Sequence, residues 1–120
     1  MTKQLQDMTN EELDRLAAKL QGREYRQCSE EVDIETRTIY EYEFIYQPTT
    51  NREQAMELQI EFGIDVHAYM KNGVITNWYA HRFNTNMSQM HWSKRHAKAP
   101  TPMRAIVLAA IPYLQEKSDE

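Results

Sequence analysis

The Asn-Gly pair at residues 72–73 constrains the fold of this chain more than any other feature of its sequence. It joins two runs of strand-forming residues, at 64–70 and 74–81. Both Asn and Gly tolerate positive φ angles, and such a pair between two strands closes the tight turn of a hairpin. The sequence therefore predicts an antiparallel β-hairpin over residues 64–81.

A second strand-forming segment runs from residue 32 to residue 46 and is dense in Val, Ile, Thr, Tyr and Phe. Aromatic side chains alternate along it with acidic and aliphatic ones: Tyr40, Tyr42, Phe44 and Tyr46 against Glu41, Glu43 and Ile45. We expect this strand to pair with a shorter one at 25–28 across residues 29–33. The aromatic row is interpreted as a core face covered by a helix; the alternative is a base-stacking surface like that of single-strand binders.

Three amphipathic helices are predicted around these strands. The first has a capping box formed by Thr9 and Glu12, and Gly22 supplies its stop. The second is predicted to begin with a capping box of Thr50 and Glu53 and to run towards Gly63.

The third helix is predicted to start after Pro100, with Thr101 as its cap and Pro102 at its first position. Pro112 lies inside its apolar pattern and is expected to end or kink the helix near residues 110–111. The stretch before this helix, residues 83–99, shows no clean periodicity and is predicted to be a long loop, with room for a short strand.

This order of elements predicts an α+β fold: an antiparallel sheet of about four strands with helices packed on both faces, an α-β-α sandwich. At 120 residues we expect a single domain over 1–120. No apolar run approaches the roughly 20 residues that a membrane helix needs, and the N-terminus lacks a signal-peptide pattern. The lone Cys28 cannot form an internal disulfide, so we expect a cytoplasmic protein with no membrane partner.

The distribution of charge suggests a binding surface. Residues 66–115 contain six basic and no acidic side chains, although the chain has 18 acidic side chains and a net charge of -4. Such a stretch can attract an anionic partner, or it can fold against the acidic first half. Within it, residues 91–98 (HWSKRHAK) combine cations with an aromatic ring that can stack on a base. The alternative for this segment is a solvated basic loop with the ring of Trp92 in the core. The candidate ligand-binding residues are Arg82, Trp92, Lys94, Arg95, His96, Lys98 and Arg104.

Catalytic and metal-binding patterns are missing from the sequence. The four histidines, at 67, 81, 91 and 96, lack the i, i+4 spacing of a helical zinc pair and have no nearby cysteine. There is no G-x-S-x-G elbow, and three glycines do not suffice for a phosphate-binding glycine-rich loop. We therefore predict a protein that is not an enzyme and that uses no metal and no cofactor.

Four stretches resemble small bacteriophage proteins of the phage ABA-sandwich type: MTNEELDRLAAKL at 8–20, YQPTTNREQAMEL at 46–58, NWYAHRF at 77–83 and AKAPTPMRAIVLAAI at 97–111. A looser resemblance to the NinX-like phage proteins rests on the central and final blocks. The resemblance implies a sheet with helices on both faces and an accessory gene expressed in a bacterial cytoplasm. It carries over no catalytic residue.

Together, these observations lead us to expect a non-catalytic phage accessory protein that antagonises host defence. Its partner would be an anionic nucleotide signal or a host defence protein. One alternative is a nucleic-acid-associated factor of phage replication or regulation, disfavoured by the acidic composition and by the lack of a helix-turn-helix signature. Another is a structural or assembly component of the virion. Self-association is compatible with each of these roles.

Overall fold

The computed structural model of the chain describes residues 4–82 and 97–118. After a short 3₁₀ turn at Leu5–Asp7, the elements follow in the order α1 (Asn10–Leu20), β1 (Arg26–Asp33), β2 (Thr38–Ile45), α2 (Arg52–Phe62), β3 (Ile64–Lys71), β4 (Val74–Arg82), β5 (Ala97–Ala99) and α3 (Pro102–Ser118).

Helix α3 forms the centre of the core. Its residues 105–111 are all buried, because β3, β4 and β5 pack against one side of the helix while α1 and α2 pack against the other. A helix that is covered all round must be apolar on every face, and the sequence AIVLAAI meets this requirement.

Of the two outcomes predicted for Pro112, an end or a kink near residues 110–111, the end is wrong, because helix α3 continues through Pro112. Proline removes one backbone hydrogen bond from a helix interior. Ile111 and Leu114, on either side of Pro112, are both buried in the core. Their packing holds the turn in helical conformation, which local propensity alone would not do.

The strands form two separate antiparallel sheets, β1–β2 and β3–β4–β5. The predicted α+β class is thus confirmed, whereas the predicted single sheet of about four strands is divided in two. The described helices form layers on one side of the three-stranded sheet: α3 packs on the strands, and α1 and α2 pack on α3. In the described part of the chain, the sandwich with helices on both faces is therefore not formed.

The turn at residues 72–73 is confirmed, with φ values of 54° at Asn72 and 79° at Gly73. The first hairpin differs from the expectation, because its turn lies at residues 34–37 and not at 29–33. One carboxylate oxygen of Asp33 accepts hydrogen bonds from the N–H groups of Glu35 (3.0 Å) and Thr36 (3.4 Å). These bonds close the turn within a run of β-branched residues that by composition indicates an unbroken strand.

The helix caps are nearly as predicted. The capping box of Thr9 and Glu12 is present at the start of α1. The cap of α2 is Asn51 and not Thr50, since the Asn51 side chain accepts the hydrogen bond from the Gln54 N–H (3.0 Å). Gly63 ends α2 at φ 62°, in the left-handed conformation that glycine adopts without strain.

Candidate functional site

The β1–β2 hairpin, residues 26–45, is the most exposed structured part of the molecule, and we call it the arm. None of its residues is buried. Among the described elements, β1 and β2 pack extensively only on each other. A two-stranded sheet with no covering layer is marginally stable by itself. The arm therefore leaves both of its faces exposed.

One face of the arm, here the aromatic face, carries a row of large side chains. Tyr40, Tyr42 and Phe44 are 45%, 51% and 56% exposed. The prediction that a helix covers this row was wrong for these three residues, because α1 and α2 bury their apolar faces on α3 instead. Tyr46, the last member of the row, is fully buried as expected.

The opposite face of the arm, here the acidic face, carries carboxylates that oppose one another. Glu30 lies directly across from Glu41 in the strand register, and like charges in this position destabilise a sheet. Glu43, across from the exposed Cys28, pairs with Arg26 at 2.9 Å. In total the arm has six acidic and two basic side chains, a net charge of -4. The arm is therefore apolar and negatively charged at once.

An open recess of about 520 Å³ lies at the tip of the arm. Its lining combines aromatic, aliphatic and acidic side chains: Glu31, Val32, Asp33, Ile34, Glu35, Tyr40 and Tyr42. Ile34, in the turn, is 86% exposed. The recess thus offers aromatic rings beside carboxylates, a combination that suits a cationic or amphipathic group.

The root of the arm is fastened to the body of the protein. The Tyr46 N–H donates to the Tyr25 carbonyl (2.8 Å), and the Tyr46 hydroxyl accepts a hydrogen bond from the Gln21 side chain (2.7 Å). Gln54 of α2 bridges the end of β2, accepting from the Gln47 N–H (2.6 Å) and donating to the Ile45 carbonyl (3.1 Å). The arm is held at its base while its length stays exposed.

A buried carboxylate anchors the segment that follows the arm. Asp14 of α1 accepts hydrogen bonds from the backbone N–H (3.0 Å) and the hydroxyl (2.8 Å) of Thr49. Both residues are buried. Burial raises the pKa of Asp14, and the Thr49 hydrogen bonds and the charge of Arg104 oppose this rise.

The structure describes three of the seven predicted ligand-binding residues and does not bring those three together. Arg104 donates to the side chain of Asn10 (2.7 Å) and to the carbonyls of Met8 (2.6 Å) and Gln6 (3.2 Å), which ties α3 to the N-terminal segment. The guanidinium of Arg82 lies 4.8 Å from the ring centroid of Tyr113 of α3.

Lys98 lies on the other face of the sheet from Arg82. It is directly across from Tyr79, whereas Ala80, on the side of Arg82, is across from Ala97 in the buried layer. Successive side chains of a strand point to opposite faces. The other four predicted residues, Trp92, Lys94, Arg95 and His96, lie outside the described residues.

Around Lys98, the face of the three-stranded sheet turned away from α3 groups rings in pairs. Tyr69 and Tyr79 meet edge to face with centroids 5.8 Å apart, and His67 and His81 lie 5.0 Å apart. Lys98 is exposed beside this group. This outer sheet face combines π surfaces with a cation, and it also carries Asp65, directly across from His81.

Sequence reasoning missed the arm as a functional feature, although it identified the alternation of aromatic and acidic residues. The signal that favours exposure is the density of acidic residues on both strands, since carboxylates are rarely buried without partners. Within residues 4–82 and 97–118, no three His, Cys, Asp or Glu side chains come together as metal ligands. In the same residues, no helix is long and apolar enough to span a membrane.

Comparison of the chain with protein-family models and with curated proteins finds no match to either. The resemblance to phage proteins therefore stays a prediction.

Proposed function

We propose that this chain is a non-catalytic binding protein that contacts a protein partner through the aromatic face of its arm. The observation that carries the proposal is the exposed row of Tyr40, Tyr42 and Phe44 on a hairpin that the described helices leave uncovered. Contiguous exposed apolar patches mark interaction sites, and aromatic residues are enriched where proteins meet. A net charge of -4 on the arm disfavours nucleic acid, because it repels phosphate.

The resemblance to phage accessory proteins supports a more specific role. We propose that the partner is a host protein of the bacterial cytoplasm and that its capture antagonises a host defence system. The anchored root supports this role, because an arm fixed at its base presents its contact residues with less loss of conformational freedom on binding.

Affinity capture from a bacterial lysate tests the proposal. Three baits are compared: the unaltered chain, the arm variant Tyr40→Ser/Tyr42→Ser/Phe44→Ser, and a control variant Met70→Ser/Val74→Ser/Ile75→Ser. The control removes similarly exposed apolar side chains around the β3–β4 turn. We expect a partner that the unaltered chain and the control retain and the arm variant loses. Equal recovery by all three baits would show that the arm is not the interface.

The outer sheet face around Lys98 favours a second candidate function, the binding of an anionic nucleotide signal. The rings of Tyr69 and Tyr79 beside an exposed cation support it. A thermal-shift screen with cyclic di- and trinucleotides and with mononucleotides tests it. At 100 times its dissociation constant, a ligand stabilises by about 2.7 kcal/mol, a shift on the order of 10 °C. The shift should be lost in Lys98→Glu; no shift with any nucleotide rejects this candidate.

A virion component would be found in purified particles, which separates that role from both candidates. A nucleic-acid-associated role predicts affinity for DNA that falls steeply with salt.

A further inference from the structure

We propose that the segment captured by the arm is an extended strand of alternating basic and apolar residues, which adds to the open edge of β2. This inference rests on the proposed function and names the chemistry of the protein partner. It follows from three properties of the arm: an unpaired strand edge, the alternation of aromatic and acidic side chains along β2, and a charge imbalance.

The first of these properties is the open edge of β2. In the two-stranded sheet β2 pairs only with β1, so within the described residues its second edge has no partner strand. An extended peptide can bind such an edge through main-chain hydrogen bonds, while its side chains fall alternately on the two faces. Three strands form a stable unit more readily than two, so an added strand would stabilise the arm.

The two faces set the pattern of the partner. A strand beside β2 places every second side chain next to Tyr40, Tyr42 and Phe44, where apolar groups bury surface. The intervening side chains lie next to Glu41 and Glu43, where Lys or Arg forms charge-assisted hydrogen bonds. The fit therefore requires alternation, and not basic character alone.

The charge imbalance sets the sign of the partner. Glu30 and Glu41 face each other, and in the described part of the chain neither carboxylate has a cation in an ion pair. A basic side chain of a strand beside β2 would lie next to Glu41 and relieve the repulsion that the hairpin carries by itself.

A second copy of the chain fits less well. Edge-to-edge pairing of two arms would bring together two surfaces of net charge -4. Two basic side chains of the body already have partners: Arg104 is hydrogen-bonded to Asn10, and the guanidinium of Arg82 lies over the ring of Tyr113. They are therefore poorly placed to pair with the arm of a second copy. A basic strand from a separate partner protein is not repelled by the arm, and its cations are not engaged in contacts within this chain.

Fluorescence anisotropy with the full chain tests the inference. The probe is a fluorescein-labelled, N-acetylated peptide of sequence Lys-Val-Lys-Val-Arg-Val-Lys. One comparison peptide has the same composition in two blocks, Val-Val-Val-Lys-Lys-Arg-Lys, and the other replaces every cation by Glu. At 0.15 M salt we expect the alternating peptide to bind at least about tenfold more tightly than the block peptide, and the Glu peptide not to bind.

Charge reversal on the acidic face gives the matched variants. In Glu30→Lys/Glu41→Lys, affinity for the alternating peptide should fall at least about tenfold, since both carboxylates become cations. The control Asp7→Lys/Glu53→Lys makes the same change in net charge on exposed positions away from the arm and should bind nearly as well as the unaltered chain. Equal losses in both variants would overturn the inference, because the effect would then come from bulk charge.

Amide exchange tests the main-chain hydrogen bonds to β2 separately from the side-chain contacts. Amide exchange of residues 38–45 should slow when the alternating peptide is bound, because an added strand pairs with the edge of β2. Any of four results would overturn the inference. These are unchanged exchange, equal binding of the alternating and block peptides, displacement of the peptide by DNA, and a dimer that hides the arm. If the lysate partner depends on the aromatic face but the basic peptide fails to bind, this inference falls and the proposed function stands. Loss of both would reject the arm as an interface.

Discussion

Both sheets of this chain are antiparallel and contain aromatic and β-branched residues, and they differ in what covers them. The three-stranded sheet packs under α3, and its inner face combines the buried Ala80, Ala97 and Ala99 with the larger Ile64, Val66 and Trp78. The arm has no alanine on either strand and presents Tyr40, Tyr42 and Phe44 at the corresponding alternate positions. Small residues let a helix approach a sheet closely, whereas a row of large side chains on an uncovered sheet marks a surface built for contact. Cover by α3, and not the size of the alternating residues alone, thus separates an internal face from an external one.

Amide exchange offers the largest measurable difference between the two regions. Amides of residues 105–111 of α3 should exchange only through global unfolding, because this part of the helix is enclosed on all sides. Amides of the arm should exchange through local opening, at least about 100-fold faster, since β1 and β2 have few contacts with the body. Native-state hydrogen exchange followed by mass spectrometry or NMR checks this. Equal protection of the arm and α3 would show that the arm opens only when the whole molecule unfolds.

A pair of isoleucine truncations sharpens the comparison. Ile111→Ala removes a fully buried side chain from the centre of α3 and should cost about 3 kcal/mol of unfolding free energy. Ile34→Ala makes the same chemical change at the exposed tip of the arm and should cost less than about 0.5 kcal/mol. Urea unfolding measures both values. Similar costs would mean that the tip packs against something in the free protein.

The root of the arm should behave like the body. Asp14→Ala leaves the buried N–H and hydroxyl of Thr49 without their acceptors and should cost about 2 kcal/mol. Asp7→Ala, in the exposed 3₁₀ turn, is the matched control and should change stability by less than about 0.5 kcal/mol. A small effect at Asp14 would show that the root is not fixed by this contact.

The pH dependence of stability isolates the charge on Asp14. Its pKa is raised by burial in the folded state, so the native protein binds this proton more tightly than the unfolded chain does. The corresponding stability is present below the ordinary pKa of 3.8 and is lost as pH rises through the higher folded value.

Asp14→Asn keeps a hydrogen-bonding group of the same shape and cannot ionise. The difference in unfolding free energy between the variant and the unaltered chain should therefore move in favour of the variant as pH rises above 3.8. Urea titrations at a series of pH values measure this. A difference that is independent of pH would contradict the raised pKa.

The smallest expected effect on stability belongs to the aromatic face. Tyr42→Ser should change the unfolding free energy by less than about 0.5 kcal/mol, since the side chain is half exposed and no described helix covers it. The same change should weaken capture of the partner, because interface aromatics contribute most of the binding energy. A variant that unfolds more easily by several kcal/mol would place Tyr42 in a core instead.

Sequence patterns located most elements, because caps and turns act locally. Thr9 with Glu12, Gly63 and the Asn72–Gly73 turn each fix a boundary through their own hydrogen bonds or φ angles. The continuation of α3 through Pro112 and the exposure of the Tyr40 row depend on which surfaces α1 and α2 cover. That choice is made in three dimensions, and the spacing of residues along one strand does not encode it.

The candidate site shows the same limit. The acid-free stretch of sequence contains Arg82, Lys98 and Arg104. In the fold the strand pleat places Arg82 and Lys98 on opposite faces of the sheet, and Arg104 is hydrogen-bonded to the N-terminal part of the chain. The alternation of aromatic and acidic residues in β2 was visible in the sequence. Its assignment to the core followed the general tendency of aromatic rows, and the carboxylates on both strands were the evidence against it.

Cys28, exposed on the acidic face across from Glu43, is the single thiol of the chain. A maleimide dye therefore attaches to the arm and nowhere else in the chain, without any engineered substitution. Its emission reports directly when that face is occupied. Dissolved oxygen can oxidise the thiols of two molecules to an intermolecular disulfide, so preparations kept in air without reductant can contain covalent pairs tethered arm to arm. Size measurements on this protein accordingly need a reducing buffer to describe its own association.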